Sequence, residues 1–269
     1  MNNMMTIIKH YLKRSLIEPI GIAIYIVAPL VFVGLIAVMN QYNIEEGAIT
    51  LMANGTDLNV GNNLVINMLM FQFMGILLVV DPLFRDLKYD MRWRLLSAPV
   101  PSVKFVFGCM WGHYVFALAA GALLLIGGFF MNSYMFNPFV LAAALALVAL
   151  IAMLFGTLFF YLFKKMAIPN TLGTVISFGM SILFGVMVSV DLPTPLHYFG
   201  QYGTPFAWAL RAIIYSSEEA SAILSSPNIT MFETFDGGMT GVMMNLGFLA
   251  AFAAVLAVIV VIVSRRKAI

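Results

Sequence analysis

The sequence predicts an all-α polytopic membrane protein with six transmembrane helices and both termini on the cytoplasmic side. Three observations predict it. Of 269 residues, 62% are hydrophobic and only 10% charged, whereas a water-soluble domain carries about 45–50% and about 25%. Six long apolar runs contain no Asp, Glu, Lys or Arg. Of the 14 Lys and Arg residues, all but Arg211 fall in segments that six crossings place on one side, and positive charge marks the cytoplasmic side.

The composition also excludes. A soluble fold of this length cannot hide so much apolar surface, because much of any folded surface faces solvent. A net charge of +2 gives no electrostatic footprint for nucleic acid. Cys109, the single cysteine, forms no intrachain disulfide.

The N-terminal segment 1–18 has two faces. Met4, Met5, Ile7, Ile8, Tyr11, Leu12 and Leu16 share one, and Thr6, Lys9, His10, Lys13 and Arg14 share the other. That pattern predicts an amphipathic helix on the inner membrane surface, basic face toward lipid headgroups; a simple charged flank is the plainer alternative. Pro19 ends it. The run 20–39 is too long for the core of a cleavable signal peptide and is predicted to span. About 20 apolar residues cross about 30 Å of hydrocarbon, so 64–80, 105–131, 138–163, 166–190 and 242–263 are the further spans.

Pro82 is expected to end the second span. Beyond it Phe84, Leu87, Met91 and Leu95 recur at helical spacing, with Arg85, Asp86, Tyr89, Asp90, Arg92 and Trp93 around them. Ser97-Ala98-Pro99-Val100-Pro101 stops the pattern. Residues 84–97 therefore form an amphipathic helix on the cytoplasmic side, suited either to docking a soluble partner or to resting on lipid. Residues 196–215 are apolar but carry Gln201, Pro205 and Arg211. A seventh full span there would put Arg265, Arg266 and Lys267 outside, so an external re-entrant segment is expected, buried in protein or facing water.

Catalytic chemistry has no visible basis in the sequence. There is no G-x-x-x-x-G-K-[ST] phosphate loop and no H-E-x-x-H, so neither a nucleotide site, a metal site nor an enzyme is expected in this chain. Apart from His113, no Asp, Glu, Lys, Arg or His lies within a span, which argues against a proton-coupled carrier. Asn67, Gln72, His113, Asn170, Thr171, Thr174 and Ser177 are polar groups in a costly solvent. Spans two and five, with His113, are the candidates for a translocation path or a dimer interface.

Arg85-Asp86 through Arg92-Trp93-Arg94-Leu95-Leu96-Ser97-Ala98-Pro99-Val100 resembles the coupling helix of the permease subunits of type-2 ATP-binding-cassette exporters. In that family an acidic residue and a glycine precede Arg-Leu-Leu, a small residue and Pro-Val; here Asp86 stands for the usual Glu and Asp90 for the glycine. Thr204-Pro205-Phe206-Ala207-Trp208-Ala209-Leu210-Arg211 is similar to the family's external re-entrant motif, carried by Pro205, Trp208 and Arg211. Lys13-Arg14, Glu18-Pro19 and Pro29 resemble the drug- and peptide-exporter branch. The likeness covers nearly the whole chain. It implies a multi-pass protein of a bacterial-type inner membrane that exports an amphipathic or hydrophobic substrate. It also implies a dimer with a second permease, identical or paralogous, and two copies of a cytoplasmic ATPase subunit that binds the ATP and Mg. Phe84, Arg85, Asp86, Met91, Arg92, Trp93, Arg94 and Leu95 would couple to that ATPase. Export of a lipid-linked glycan, or membrane capture without transport as by an immunity protein, are the alternatives.

Overall fold

The structure, a computed structural model, describes residues 2–31, 34–35, 67–89, 101–130, 137–183, 203–216 and 238–266. Among the described residues the only regular structure is helix. In chain order we number α1 (Asn2–Ile17), α2 (Pro19–Ile22), α3 (Asn67–Leu87), α4 (Ser102–Phe130), α5 (Pro138–Leu162), α6 (Ala167–Leu183), α7 (Pro205–Tyr215) and α8 (Met239–Arg266). A π-helical stretch, Ala23–Val27, continues α2. Among the described residues four helices are long and apolar enough to cross a membrane: α3, α4 over Ser102–Ile126, α5 and α8. Parts of the expected first and fifth spans, 36–39 and 184–190, lie outside the described residues, as do 90–97 of the expected cytoplasmic helix and 196–202 of the expected external segment.

Helix α5 is the hub, packed against α3, α4, α7 and α8. Asn137 starts it: its side chain accepts from Phe139 N at 3.0 Å, and Pro138 occupies the first turn, where a missing N–H costs nothing. Gly156 lets α3 lie on α5, since a Cβ there would sit 2.8 Å from the Ile76 carbonyl oxygen. Tyr25, Phe73, Phe84, Phe116, Phe160 and Phe206 are the large, fully buried rings of the core. By contrast only 22% of the apolar window of α8 is buried, and Met243, Phe248, Val255, Val258 and Ile262 point outward. In water such a helix would be untenable; in hydrocarbon close packing, not apolar burial, decides which faces meet.

Pro82 does not end the helix. Gly75–Leu87 is continuous through it, and the irregularity lies earlier, at Met74, where Leu77 N bonds the Met74 carbonyl at 2.9 Å in a tightened turn. A proline forfeits one backbone bond, and a helix packed among neighbours at membrane depth tolerates that loss. The chain instead leaves helical geometry at Lys88.

The N-terminal helix also departs from a purely surface-lying one. It packs along α4, with Ile7 over Gly108 and Tyr11 over Gly112. A Cβ at Gly108 would meet Ile7 Cγ2 at 2.5 Å, and one at Gly112 would meet the Ile8 carbonyl oxygen at 2.9 Å. The two glycines, one helical turn apart, cut a groove that brings backbone to backbone. Ile7, Tyr11 and Ser15 are buried there, while Lys9, His10 and Lys13 stay exposed.

Helix α7 is short. Thr204 caps it, accepting from Ala207 N at 3.2 Å, and Pro205 opens it. Its 11 residues rise about 1.5 Å each, roughly half of a membrane core about 30 Å thick. Its C-terminal end meets the N-terminal ends of α5 and α8, through Ala212, Tyr215, Val140 and Val242. Residues Pro205–Tyr215 are buried except Trp208, which is half-buried. This is an element enclosed by protein, as an interrupted apolar helix must be.

Candidate functional site

The helix ends that carry basic residues converge. Lys88, just past α3, donates to the carbonyl of Phe160 at 2.6 Å and to that of Phe163, both at the C-terminal end of α5. Its ammonium also lies 4.3 Å and 4.5 Å from the Phe84 and Phe160 ring centres. A cation at unsatisfied C-terminal carbonyls is favourable through both hydrogen bonds and the helix dipole. Tyr89 Oη accepts from Met166 N at 3.3 Å, tying in the start of α6. Lys164 and Lys165 fall in this α5–α6 turn.

Two charged clusters sit at this end. In the first, Asp86 is buried and accepts from Tyr11 Oη at 2.8 Å and from Arg14 Nη1 at 3.0 and 2.8 Å. Burial raises the Tyr11 phenol well above its ordinary range, and the Asp86 charge raises it further. Burial works against the Arg14 charge, but its hydrogen bond and attraction to Asp86 outweigh that and hold its pKa up. The Tyr11 ring stacks obliquely at 5.8 Å on His113, whose Nδ1 lies 2.8 Å from the Cys109 carbonyl oxygen.

In the second cluster, one turn along α3, Arg85 pairs with Asp81 on its own helix and with Glu18 at 3.4 Å. These three line a cavity of about 510 Å³ between α2, α3 and α6, together with Gly21, Leu77, Leu78, Pro82, Asn170, Thr171, Thr174 and Val175. The Thr171 and Thr174 hydroxyls donate back to the carbonyls of Ala167 and Asn170, at 3.0 and 2.9 Å. The buried Asn170 Oδ1 has no hydrogen-bond partner among the described residues.

No family model matches the chain, and no curated protein matches it.

The structure thus gathers some of the residues singled out from sequence and separates others. Asn170 and Thr174 share one cavity with Arg85. Ser177, buried one turn on from Thr174, donates to the Gly173 carbonyl at 2.7 Å. Asn67 is buried in α3; Gln72 Nε2 donates to the Ala117 carbonyl at 3.1 Å, joining α3 to α4. His113 belongs to the Tyr11 cluster. Pro205, Trp208 and Arg211 lie on α7, with the Trp208 ring 5.9 Å from both Phe248 and Phe252 of α8 and Arg211 buried.

Of the expected coupling residues, Arg85 is exposed, but Phe84 and Asp86 are buried within the chain against Phe160 and Tyr11. Within the chain, those two side chains anchor the end of α3. Met91, Arg92, Trp93, Arg94 and Leu95 lie outside the described residues.

Tyr11, Arg14 and Lys88 take part in the site without standing out in the sequence. The one available signal is Asp86, an acid beside a strongly basic segment, which demands a cation from elsewhere. Among the described residues no group of three or more His, Cys, Asp or Glu side chains could hold a metal ion.

Proposed function

We propose that the chain is the membrane-embedded permease subunit of an ATP-binding-cassette exporter. It crosses the inner membrane of a bacterial-type cell six times, with the basic helix ends on the cytoplasmic side. It works as a pair with a second permease chain, identical or paralogous, and two ATPase subunits that carry the ATP and Mg. The substrate is amphipathic or hydrophobic.

One observation carries the reading beyond sequence resemblance: the end of α3 is hydrogen-bonded to three other parts of the chain. Asp86 is bonded to α1, Lys88 to the end of α5 and Tyr89 to the start of α6. Residues 90–95, with the Arg92-Trp93-Arg94-Leu95 motif, follow directly. Force applied by an ATPase to that motif is delivered at once to α1, α5 and α6, and the cavity between α2, α3 and α6 lies against the same junction. Such a linkage suits a subunit that converts nucleotide-driven movement into helix tilting.

The test is purification of the tagged protein in mild detergent from its own host, with ATPase activity assayed for the wild type and Trp93→Ala. A stoichiometric soluble ATPase that Trp93→Ala loses or uncouples supports the exporter. Recovery of the protein alone, without ATPase activity, would sink it and favour membrane capture without transport.

A further inference from the structure

We propose that the cavity between α2, α3 and α6 is a binding site for an amphipathic organic cation. Its volume of about 510 Å³ lies within the range of small-molecule sites, about 300–1,000 Å³. Leu77, Leu78, Pro82 and Val175 supply an apolar wall. Polar groups come from Glu18, from α3 and from α6, and among the described residues their charge balance is negative: the carboxylates of Glu18 and Asp81 share a single guanidinium, that of Arg85.

Hydrogen-bond accounting points the same way. The Thr171 and Thr174 hydroxyl protons are committed to their own helix, so each threonine oxygen presents lone pairs. Among the described residues Asn170 Oδ1 is a buried acceptor without a donor. The wall therefore offers surplus acceptors and surplus negative charge, which a ligand ammonium with N–H donors satisfies. An anionic ligand would face two carboxylates across a low-dielectric space and is disfavoured. A hydrophobic body against Leu77, Leu78 and Val175, with its ammonium between Asp81, Glu18 and Asn170, meets every wall with its complement. This names the substrate class of the proposed exporter and rests on that reading for its purpose, although binding itself needs no ATPase.

The experiment uses the full chain in nanodiscs of phosphatidylcholine, a lipid without net charge. Fluorescence anisotropy follows rhodamine 6G, an amphipathic cation bearing N–H groups, against fluorescein, an anion of similar size. Saturable binding of rhodamine 6G alone is expected. Asp81→Asn and Glu18→Gln should each weaken it about tenfold, the loss of one charged hydrogen bond. Thr174→Phe fills the cavity from α6 without touching the ion pairs and should abolish binding, so it decides the matter if the charge variants fail to fold. Absence of saturable binding, equal binding of fluorescein, or unchanged affinity in Thr174→Phe overturns the proposal. Cation binding by a chain that recruits no ATPase leaves the site standing and removes the exporter; recruitment without cation binding does the reverse.

Discussion

Arg14 Nη1 donates to both carboxylate oxygens of Asp86, at 3.0 and 2.8 Å, across 72 residues of chain. The pair fastens α1 to the last turn of α3 where Asp86 is nearly sealed from solvent, its side chain 9% exposed and that of Arg14 26%. Removing either partner leaves the other without compensation in a poorly solvated place. Asp86→Asn and Arg14→Gln should each destabilise the protein by about 2–4 kcal/mol, and the double variant should cost less than their sum, with a coupling of about 1–3 kcal/mol. Unfolding in mixed micelles, measured on the four-member cycle, checks this. Additive losses would mean that the two side chains act separately.

Tyr11 gives that junction a pH dependence. Its phenol donates to Asp86 and, chiefly through burial, holds its proton more tightly than a free phenol. A raised folded-state pKa stabilises fully below the unfolded value, near 10 for tyrosine, and the contribution is lost as pH climbs above it. The wild type should therefore exceed Tyr11→Phe by about 1–2 kcal/mol near neutral pH, one buried hydrogen bond. That advantage should fade above about pH 10. Thermal melts of both proteins between pH 7 and 11 test it, and a constant gap would show that the phenol proton is not involved.

Glycines of the same composition should answer oppositely to alanine. A Cβ at Gly112 would meet backbone, the Ile8 carbonyl oxygen at 2.9 Å and Leu12 N at 3.2 Å, which cannot turn aside. Gly112→Ala should cost about 1–3 kcal/mol by forcing α1 off α4. A Cβ at Gly247 meets nothing within 4 Å among the described residues, so Gly247→Ala should be neutral or stabilising by up to about 1 kcal/mol through helix propensity. Melting temperatures of the two variants suffice. An equal response would mean that α1 does not sit in the glycine groove.

Much of the fold was legible because lipid imposes simple arithmetic. The runs 105–131, 138–163 and 242–263 announce themselves by length and lack of charge, and α4, α5 and α8 match them closely. The interruptions by Gln201, Pro205 and Arg211 also argued against a full span at 196–215, and α7 within it is short. Local rules failed where packing overrode them. Pro82 reads as a stop but lies inside α3, because neighbouring helices carry the cost of a broken turn. The helical wheel put Arg14 with Lys9 and Lys13 on a lipid-facing side, yet an acid 72 residues away turns it inward. Phe84 and Asp86 look like the first turn of a docking helix because amphipathicity does not say which partner covers the apolar face. The cavity was half visible: Asn170 and Thr174 stood out as polar groups at membrane depth, but nothing in one dimension sets them beside Glu18 and Asp81.

Lys88 should be worth more than an ordinary surface lysine. It caps α5 through two carbonyls and lies over two aromatic rings. Lys88→Met keeps the stem but removes the charge, and should lower stability by about 1–3 kcal/mol. Lys88→Ala should lose more, since the stem's packing goes as well. If the methionine variant melts with the wild type, the C-terminal carbonyls of α5 are satisfied without the ammonium.

Cysteine labelling tests the six-crossing topology and the half-depth of α7 together. Cys109 is the only cysteine and is buried, so Cys109→Ser supplies a clean background. Single cysteines at Lys165 and Arg265 probe the basic end, and those at Phe139 and Met239, both exposed, probe the opposite end. A membrane-impermeant maleimide should reach the first pair from the cytoplasmic side only and the second pair from outside only. Gly203 lies before the cap of α7. A helix that crossed the membrane would present position 203 to the cytoplasm, whereas one about 16 Å long that starts at mid-depth would not. Labelling of Gly203→Cys from the cytoplasmic side would therefore mean that the start of α7 reaches the opposite face, against its half-membrane length, while α8, whose start meets the C-terminal end of α7, would keep its orientation.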